Sequence, residues 1–200
     1  MDYLILRHSP CDILLPYKIR FGFIGPFIEQ KGLHILIRAF NKVKVDNVVL
    51  KIFGDKPALS RDSYSTKIRS MVRNKNIKFM GRFNNEDIAK ILSTIDVLIV
   101  PSIWYENSPL VIHEAFMARV PVITANIGGM AELVQNNMNG LLFKVGDAED
   151  LFEKIDRFIK EPRLIEELGK NIPAIKTIEE DANELEGLYT ILAHKYQISV

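Results

Sequence analysis

An alternation between strand-like apolar runs and helical apolar stripes restricts the fold of this chain more than any other feature. Four runs rich in β-branched residues end at, or shortly before, a glycine or proline, as buried strands of a parallel sheet often do. They are Arg20–Ile24, Val48–Phe53, Asp96–Val100 and Val120–Thr124, with Ile77–Met80 and Leu141–Phe143 as shorter candidates. Apolar residues at helical spacing separate them, as from Leu33 to Phe40 and from Leu151 to Ile159. This order predicts the α/β class, with a Rossmann-like parallel sheet and helices on both faces.

The length of 200 residues suits one well-packed domain with a short appendage. Residues 1–18 fit no element and are interpreted as a connecting segment. Residues 19–173 hold the alternating pattern, and residues 174–200 are predicted to form a C-terminal helical tail. Leu185, Leu188, Tyr189 and Leu192 share one face of that tail.

Charge and cysteine content limit the compartment and the partners. Lysine and arginine total 26 and aspartate and glutamate total 25, so the net charge of +1 gives no general case for nucleic acid. No apolar run approaches the ~20 residues of a bilayer span, and no secretory leader is recognisable. Cys11 is the only cysteine, which excludes an internal disulfide. We therefore expect a cytoplasmic protein.

The charges are unevenly distributed along the chain. Residues 61–82 carry seven basic side chains and one acidic, whereas residues 147–187 carry thirteen acidic and six basic. Either both stretches are solvated helical faces, or the basic stretch favours an anionic ligand or peripheral contact with the inner face of a membrane. The sequence leaves both interpretations open.

The strongest candidate site is the segment PSIWYENSPLVIHE, residues 101–114, which directly follows a predicted strand. Ligands of open parallel sheets bind beyond the carboxyl ends of the strands. Ser108 is predicted to cap a helix whose first residue is Pro109. The amides of Leu110 and Val111 would then be free to bind an anion such as a phosphate.

Two glutamates, Glu106 and Glu114, flank this predicted helix start. Carboxylates are poor ligands for phosphate, but they accept hydrogen bonds from sugar hydroxyls, and these two would do so on either side of a diphosphate. The alternative is that Glu106 is a solvated loop acid and Glu114 an acid on the helix surface.

Glycine-containing loops follow the other predicted strands, and each is a weak signal by itself. The first loop contains Gly25 and Lys31, and its lysine could contact a phosphate. Gly54 follows the second strand, and Arg82, whose guanidinium could stack on a base, follows the third. Metal-ligand spacing, a nucleophile triad and a GxGxxG motif are all missing from the sequence, so we expect neither a metal nor NAD.

In their order, these motifs resemble the C-terminal, nucleotide-sugar-binding domain of GT-B glycosyltransferases of family 4, also called group 1. The similar stretch extends from Phe21 to about Tyr189, and its specific part is the pair Glu106 and Glu114 with seven residues between them. The resemblance implies a retaining transferase that moves a sugar from a UDP- or GDP-sugar donor to a saccharide or lipid-linked acceptor in polysaccharide biosynthesis. It also implies that no metal cofactor is needed.

The resemblance further implies roles for single residues. Lys31 would bind the donor diphosphate and stabilise its leaving charge, and Glu106 would hold hydroxyls of the transferred sugar, so that both are catalytic. Glu114 would hold the ribose hydroxyls. The remaining donor contacts that it implies are Gly25, Gly54, Arg82, Asn107, Ser108, Pro109, Leu110 and Val111.

Two departures from the family pattern bear on activity. The family often carries an arginine five residues before the loop lysine, where this chain has Pro26, so Arg82 or Lys56 would have to supply that charge. Nothing in the chain corresponds to the family's N-terminal, acceptor-binding domain. We therefore expect this polypeptide to bind nucleotide but to transfer sugar poorly, and its terminal helix to expose an apolar face. The alternatives are a non-catalytic nucleotide-sugar-binding module and a scaffold domain with an empty cleft.

Overall fold

A computed structural model describes residues 18–55, 63–176 and 178–196. The predicted connecting segment lies outside these residues except for Lys18, and so does Lys56. Within the described part, six strands form one parallel sheet. They are β1 Ile19–Ile24, β2 Val48–Phe53, β3 Ile77–Gly81, β4 Val97–Val100, β5 Val122–Ala125 and β6 Gly140–Phe143.

Helices connect the strands and cover the sheet. In the described residues they are α1 Leu33–Phe40, α2 Ser63–Met71, α3 Ile88–Leu92, α4 Leu110–Met117, α5 Gly128–Leu133, α6 Ala148–Lys160, α7 Arg163–Lys170 and α8 Ile178–Tyr196. Helix α1 packs against α2 and α6, and α3 packs against α4. Right-handed crossovers place these two groups of helices on opposite faces of the sheet. The predicted α/β class and Rossmann-like architecture are confirmed.

The strand order is β3-β2-β1-β4-β5-β6, so the chain reverses its direction of travel between β1 and β4. Phe21 of β1 is in register with Val97 of β4. In open α/β sheets, the crevice at such a reversal is the place where ligands bind. The loops after β1 and β4 are therefore the ones that define a site.

Aromatic side chains join the sheet to two helices on one of its faces. Phe21 on β1 is fully buried, and its ring lies edge-on to Phe40 of α1 at 6.0 Å and to Phe158 of α6 at 6.5 Å. Edge-to-face pairs at these distances add to the stabilisation that burial of the rings provides. Phe158 therefore ties α6 to the centre of the sheet.

The ends of five strands differ from the prediction by one or two residues, whereas β2 has the predicted bounds. The predicted strand Val120–Thr124 begins instead at Val122, because Pro121 has no N–H for the ladder, although its carbonyl accepts from Leu98 N at 3.0 Å. Asp96 precedes β4 and binds Arg20, whose Nε and Nη2 donate to the carboxylate at 3.0 and 2.6 Å.

Helix α8 lies within the predicted C-terminal tail. Its apolar side chains are exposed, as predicted, with Leu188 at 50% and Tyr189 at 66% exposure. The proposed boundary between residues 173 and 174 stays a prediction. Among the helices of residues 18–55, 63–176 and 178–196, none is both long and apolar enough to span a membrane.

The aromatic contact between β1 and α6 predicts how the domain responds to truncation. Replacing Phe158 with alanine is expected to lower the free energy of unfolding by about 3–5 kcal/mol, because the ring is fully buried. Phe158→Leu should cost less, since it retains most of the apolar volume. Urea unfolding measures both losses. Tyr189→Ala on exposed α8 is the control and should stay within about 0.5 kcal/mol of the parent. A loss as large as that of Phe158→Ala would show that α8 is packed.

Candidate functional site

Two loops meet at the carboxyl ends of β1 and β4. The carbonyl of Gln30, after β1, accepts from Ile103 N and from Ser102 Oγ, after β4, both at 2.9 Å. Gly32 follows at a φ of 68°, and a Cβ there would lie 1.8 Å from the carbonyl oxygen of Pro101. Glycine is therefore required at this position, both for the left-handed backbone and for the close approach of the two loops.

The contact between these loops brings together the two predicted catalytic residues. Lys31 Nζ lies 2.6 Å from Glu106 Oε1, and the two side chains are 32% and 18% exposed. Ser102 Oγ lies 3.0 Å from the same carboxylate oxygen. The Glu106 carboxylate is therefore bound by Lys31 and Ser102, so its alternative interpretation as a solvated loop acid is wrong.

The first turn of α5, which follows β5, fixes the backbone of Glu106. Gly129 N donates to the carbonyl of Glu106 at 2.8 Å, and a Cβ on Gly129 would lie 1.6 Å from the carbonyl oxygen of Asn107. Both the side chain and the backbone of Glu106 are thus held by neighbouring segments. Such fixed geometry is what preorganised binding requires.

The start of α4 differs from the prediction. The helix begins at Leu110, and Pro109 is its N-cap in extended conformation, so Ser108 is not the cap and Pro109 is not the first helical residue. Ser108 Oγ instead lies 2.7 Å from Nε2 of His113, a contact that replaces side-chain capping. The amides of Leu110 and Val111 nevertheless belong to the first turn, where N–H groups have no intrahelical partner. The exposed Asn107 leads into this turn.

Glu114 lies about one turn into α4 and is half-buried. Burial raises the pKa of its carboxyl group, because the surroundings disfavour the charge. A freely solvated surface acid would not show this shift. Glu114 is therefore a partly desolvated acid of α4, and its contact with a donor stays a prediction.

The remaining predicted donor contacts lie toward the β3 edge of the sheet. Gly54 packs on the end of β1, and a Cβ there would lie 2.2 Å from the carbonyl oxygen of Gly25. Arg82 Nε lies 2.5 Å from Asp55 Oδ1, and its side chain is 85% exposed. The end of β3 lies two strands, about 10 Å, from the end of β1 at the usual strand spacing, and the Arg82 side chain reaches back to Asp55, after β2.

Ser102 is a site residue that sequence reasoning missed. It is fully buried and lies between the carbonyl of Gln30 and the carboxylate of Glu106. A hydroxyl has one hydrogen, so Ser102 donates to one of these acceptors at a time. Its position directly after β4 was the available signal, since side chains at carboxyl ends of parallel strands face the crevice. Clusters of three or more potential metal ligands do not occur among the described residues.

The strand order and this crevice define a Rossmann-like domain with a site between two loops. Residues 16–174 match the family described as glycosyl transferases, group 1. The chain therefore belongs to the group 1 glycosyltransferases.

Relatives of known sequence or structure agree with that assignment. An uncharacterized glycosyltransferase of Methanocaldococcus jannaschii is 32% identical over 152 residues, which cover 74% of this chain and 40% of the relative. The capsular polysaccharide biosynthesis glycosyltransferase CapM of Staphylococcus aureus is 28% identical over 152 residues, 75% of this chain and 39% of the relative. The Anabaena protein HepE, crystallised in complex with UDP-glucose, is 25% identical with a TM-score of 0.70, covering 78% of this chain and 43% of HepE. The chain thus spans well under half of each relative.

The contact of Gly129 with the Glu106 loop predicts that a larger side chain at position 129 destabilises the domain. Gly129→Ala is expected to lower the free energy of unfolding by about 1–3 kcal/mol, because the new methyl group collides with the carbonyl of Asn107. Gly187→Ala in α8 is the matched control, since its Cβ meets nothing within 4 Å. That change should stabilise the chain by about 0.5–1 kcal/mol. Urea titrations of both variants compare them. Stabilisation by Gly129→Ala would mean that Gly129 and the Glu106 loop are not in contact.

The raised pKa of Glu114 predicts a pH-dependent change in stability. The folded chain binds this proton more tightly than the unfolded chain, so the stability contribution is present at low pH and is lost as pH rises through the raised pKa. Glu114→Gln removes the buried charge and should raise the unfolding temperature at pH 7. Below about pH 4 the gain should disappear, since Glu114 is then protonated in both states. Thermal melts at both pH values test this, with Glu153→Gln on α6 as the control. A gain of equal size at both pH values would exclude burial of the charge as its cause.

Proposed function

We propose that this chain is the nucleotide-sugar-binding part of a retaining group 1 glycosyltransferase. The observation that carries the proposal is the 2.6 Å contact between Lys31 and Glu106 at the reversal of the strand order. It places a cation, and a carboxylate able to accept hydroxyl hydrogen bonds, side by side in the crevice where such sheets bind ligands.

The proposed reaction transfers a sugar from a UDP- or GDP-sugar to an acceptor hydroxyl. The bond between the anomeric carbon and the β-phosphate oxygen breaks, the acceptor oxygen forms the new bond, and the hydroxyl proton is released. Negative charge grows on the departing diphosphate. The ammonium of Lys31 has three hydrogens, so it can retain its hydrogen bond to Glu106 and also donate one to a phosphate oxygen. The first amides of α4, at Leu110 and Val111, supply further donors to the same charge.

We propose that Glu106 and Glu114 bind different hydroxyl groups of the donor. Glu106 is fixed by Lys31, Ser102 and Gly129, and a fixed carboxylate suits the hydroxyls of the sugar that reacts. Glu114 is half-buried and has no ion pair among the described residues, and a diol such as the ribose would compensate its lost hydration by hydrogen bonds.

The charge that the family often has before the loop lysine is not replaced by Arg82 in this structure. Pro26 stands at that position, and Arg82 is bound to Asp55. Diphosphate binding in the proposal rests on Lys31 and the α4 amides. Gly25, Gly54, Arg82, Asn107, Ser108 and Pro109 remain proposed donor contacts.

The proposal also covers the acceptor, the cellular compartment and the lack of a metal requirement. A role of CapM in capsular polysaccharide biosynthesis supports a saccharide or lipid-linked acceptor, reached through a part of the protein other than these 200 residues. We propose a cytoplasmic enzyme that needs no metal and whose isolated chain transfers sugar poorly. A second candidate, a non-catalytic nucleotide-sugar-binding module, is favoured by Pro26.

Calorimetric titration with UDP, GDP and their glucose conjugates tests donor binding. One nucleotide is expected to bind, and Glu114→Ala should weaken it by about 1–3 kcal/mol, because the ribose loses its acceptor. Lys31→Gln should weaken binding of the nucleoside diphosphate but leave binding of the nucleoside unchanged. Glu106→Gln should reduce the preference for the sugar conjugate over the free diphosphate.

Glu153→Ala, on the exposed surface of α6, is the control and should bind as the parent does. Absence of binding by any nucleotide, or equal losses from Glu153→Ala and Glu114→Ala, would contradict the donor site. Efficient transfer by the 200-residue polypeptide alone would contradict the poor activity that we propose, and would leave donor binding supported.

A further inference from the structure

Positive charge is concentrated in one part of the chain that the donor site does not use. Residues 38–82 carry twelve lysines and arginines against three aspartates, a net charge of +9. Since the whole chain has a net charge of +1, the remaining residues have a net charge of −8. Ten of these bases and two of the acids belong to residues that the structure describes, from the end of α1 through β2, α2 and β3, and they lie in one half of the sheet.

We call the surface formed by α1, α2 and the turns that follow them the basic face. Between the two helices it has a recess with a volume of about 440 Å³. Its lining comprises Arg38, Asn41, Lys67, Ser70, Met71 and Arg73. Three cations and a hydroxyl therefore converge on one shallow depression, and the apolar Met71 forms part of its lining. None of these residues belongs to the proposed donor site.

Three arginines of this face have no acidic partner in the part of the chain that the structure describes. Arg38, Arg69 and Arg73 are exposed and form no ion pair among the described residues. The acids that reach the basic face bind lysines, as Glu29 does Lys67 at 3.4 Å. In the same way, Asp46 binds Lys75 at 3.0 Å, and Glu149 binds Lys42. The unpaired guanidinium groups are available to an anionic partner.

Apolar groups lie among these charges. Val45 is 40% exposed, and its carbonyl accepts from Nδ2 of Asn76, which places it beside the basic Lys75. Met71 of α2, which is partly buried, lines the recess itself. Basic and apolar side chains on one surface are the combination that binds the interface of an anionic bilayer.

Nucleic acid fits this face less well than a bilayer does. Binding of single strands uses aromatic side chains on which bases stack. The most exposed aromatic side chains of the described residues, Trp104, Tyr105, Tyr189 and Tyr196, all lie on other elements. Tyr64 of α2 is half-buried, with its hydroxyl 2.9 Å from Nδ1 of His34.

We propose that the basic face of α1 and α2, centred on the Arg38–Lys67–Arg73 recess, docks on the headgroups of an anionic phospholipid bilayer. The contact is electrostatic and peripheral, and it weakens as salt screens the charges. It does not depend on the proposed donor site, and it goes beyond that proposal by naming the surface that meets the membrane.

Sedimentation of the 200-residue chain with vesicles tests the docking surface. Vesicles of phosphatidylcholine are compared with vesicles containing about one third phosphatidylglycerol, at low and at high salt. The chain is expected to sediment with the anionic vesicles only, and less at high salt. The triple variant Arg38→Gln, Arg69→Gln, Arg73→Gln should bind them at least roughly tenfold more weakly.

A matched triple variant, Lys90→Gln, Lys144→Gln, Arg163→Gln, removes the same charge from exposed sites on other elements. It should bind vesicles as the parent does, and both triple variants should keep the parent's unfolding temperature and UDP binding. If the two variants lost vesicle binding equally, net charge alone would explain the binding, and the proposal would be overturned. The absence of sedimentation at low salt, or tighter binding of a DNA oligonucleotide through the same three arginines, would also overturn it.

Discussion

The reversal of strand order between β1 and β4 is the constraint on which the rest of the structure depends. Because the helices that follow these neighbouring strands pass to opposite faces of the sheet, the space beyond the strand ends stays open. The same adjacency forces the two loops together, to the point that only glycine fits at position 32 beside Pro101. The contact between Lys31 and Glu106, 75 residues apart in sequence, follows from this arrangement.

The strands were predictable from sequence because short, mostly apolar runs mark them, even where β2 and β3 contain Lys51 and Lys78, but some helices were not. Helix α2 buries only Ile68 among its apolar residues, and α5 begins with two glycines, so neither shows the stripe that identifies a helix. Site residues were predicted one at a time, by type and by position after a strand. Their mutual contacts, and the buried hydroxyl of Ser102, depend on tertiary structure, which single-loop patterns do not contain.

The two glutamates show how the same side chain is prepared for different partners. Glu106 has a lysine, a serine and a backbone amide of α5 to hold it, so its charge is compensated before any ligand arrives. Glu114 is partly desolvated, and its pKa is raised because burial is not offset by a cation. An ionised Glu114 therefore lowers the stability of the domain, and a ligand that donates hydrogen bonds would recover that loss.

The basic face and the donor crevice are connected through one helix. Lys31 and Gly32 precede α1, and Arg38 lies near its other end, so the six-residue step from Gly32 to Arg38 covers about 9 Å at 1.5 Å per residue. A bilayer docked on the basic face would therefore lie within a short distance of the site. The preceding 3₁₀ turn and α1 are joined through Gly32, whose backbone is fixed against Pro101. Membrane docking would then set the orientation of the crevice as a rigid body, without altering the contacts inside it.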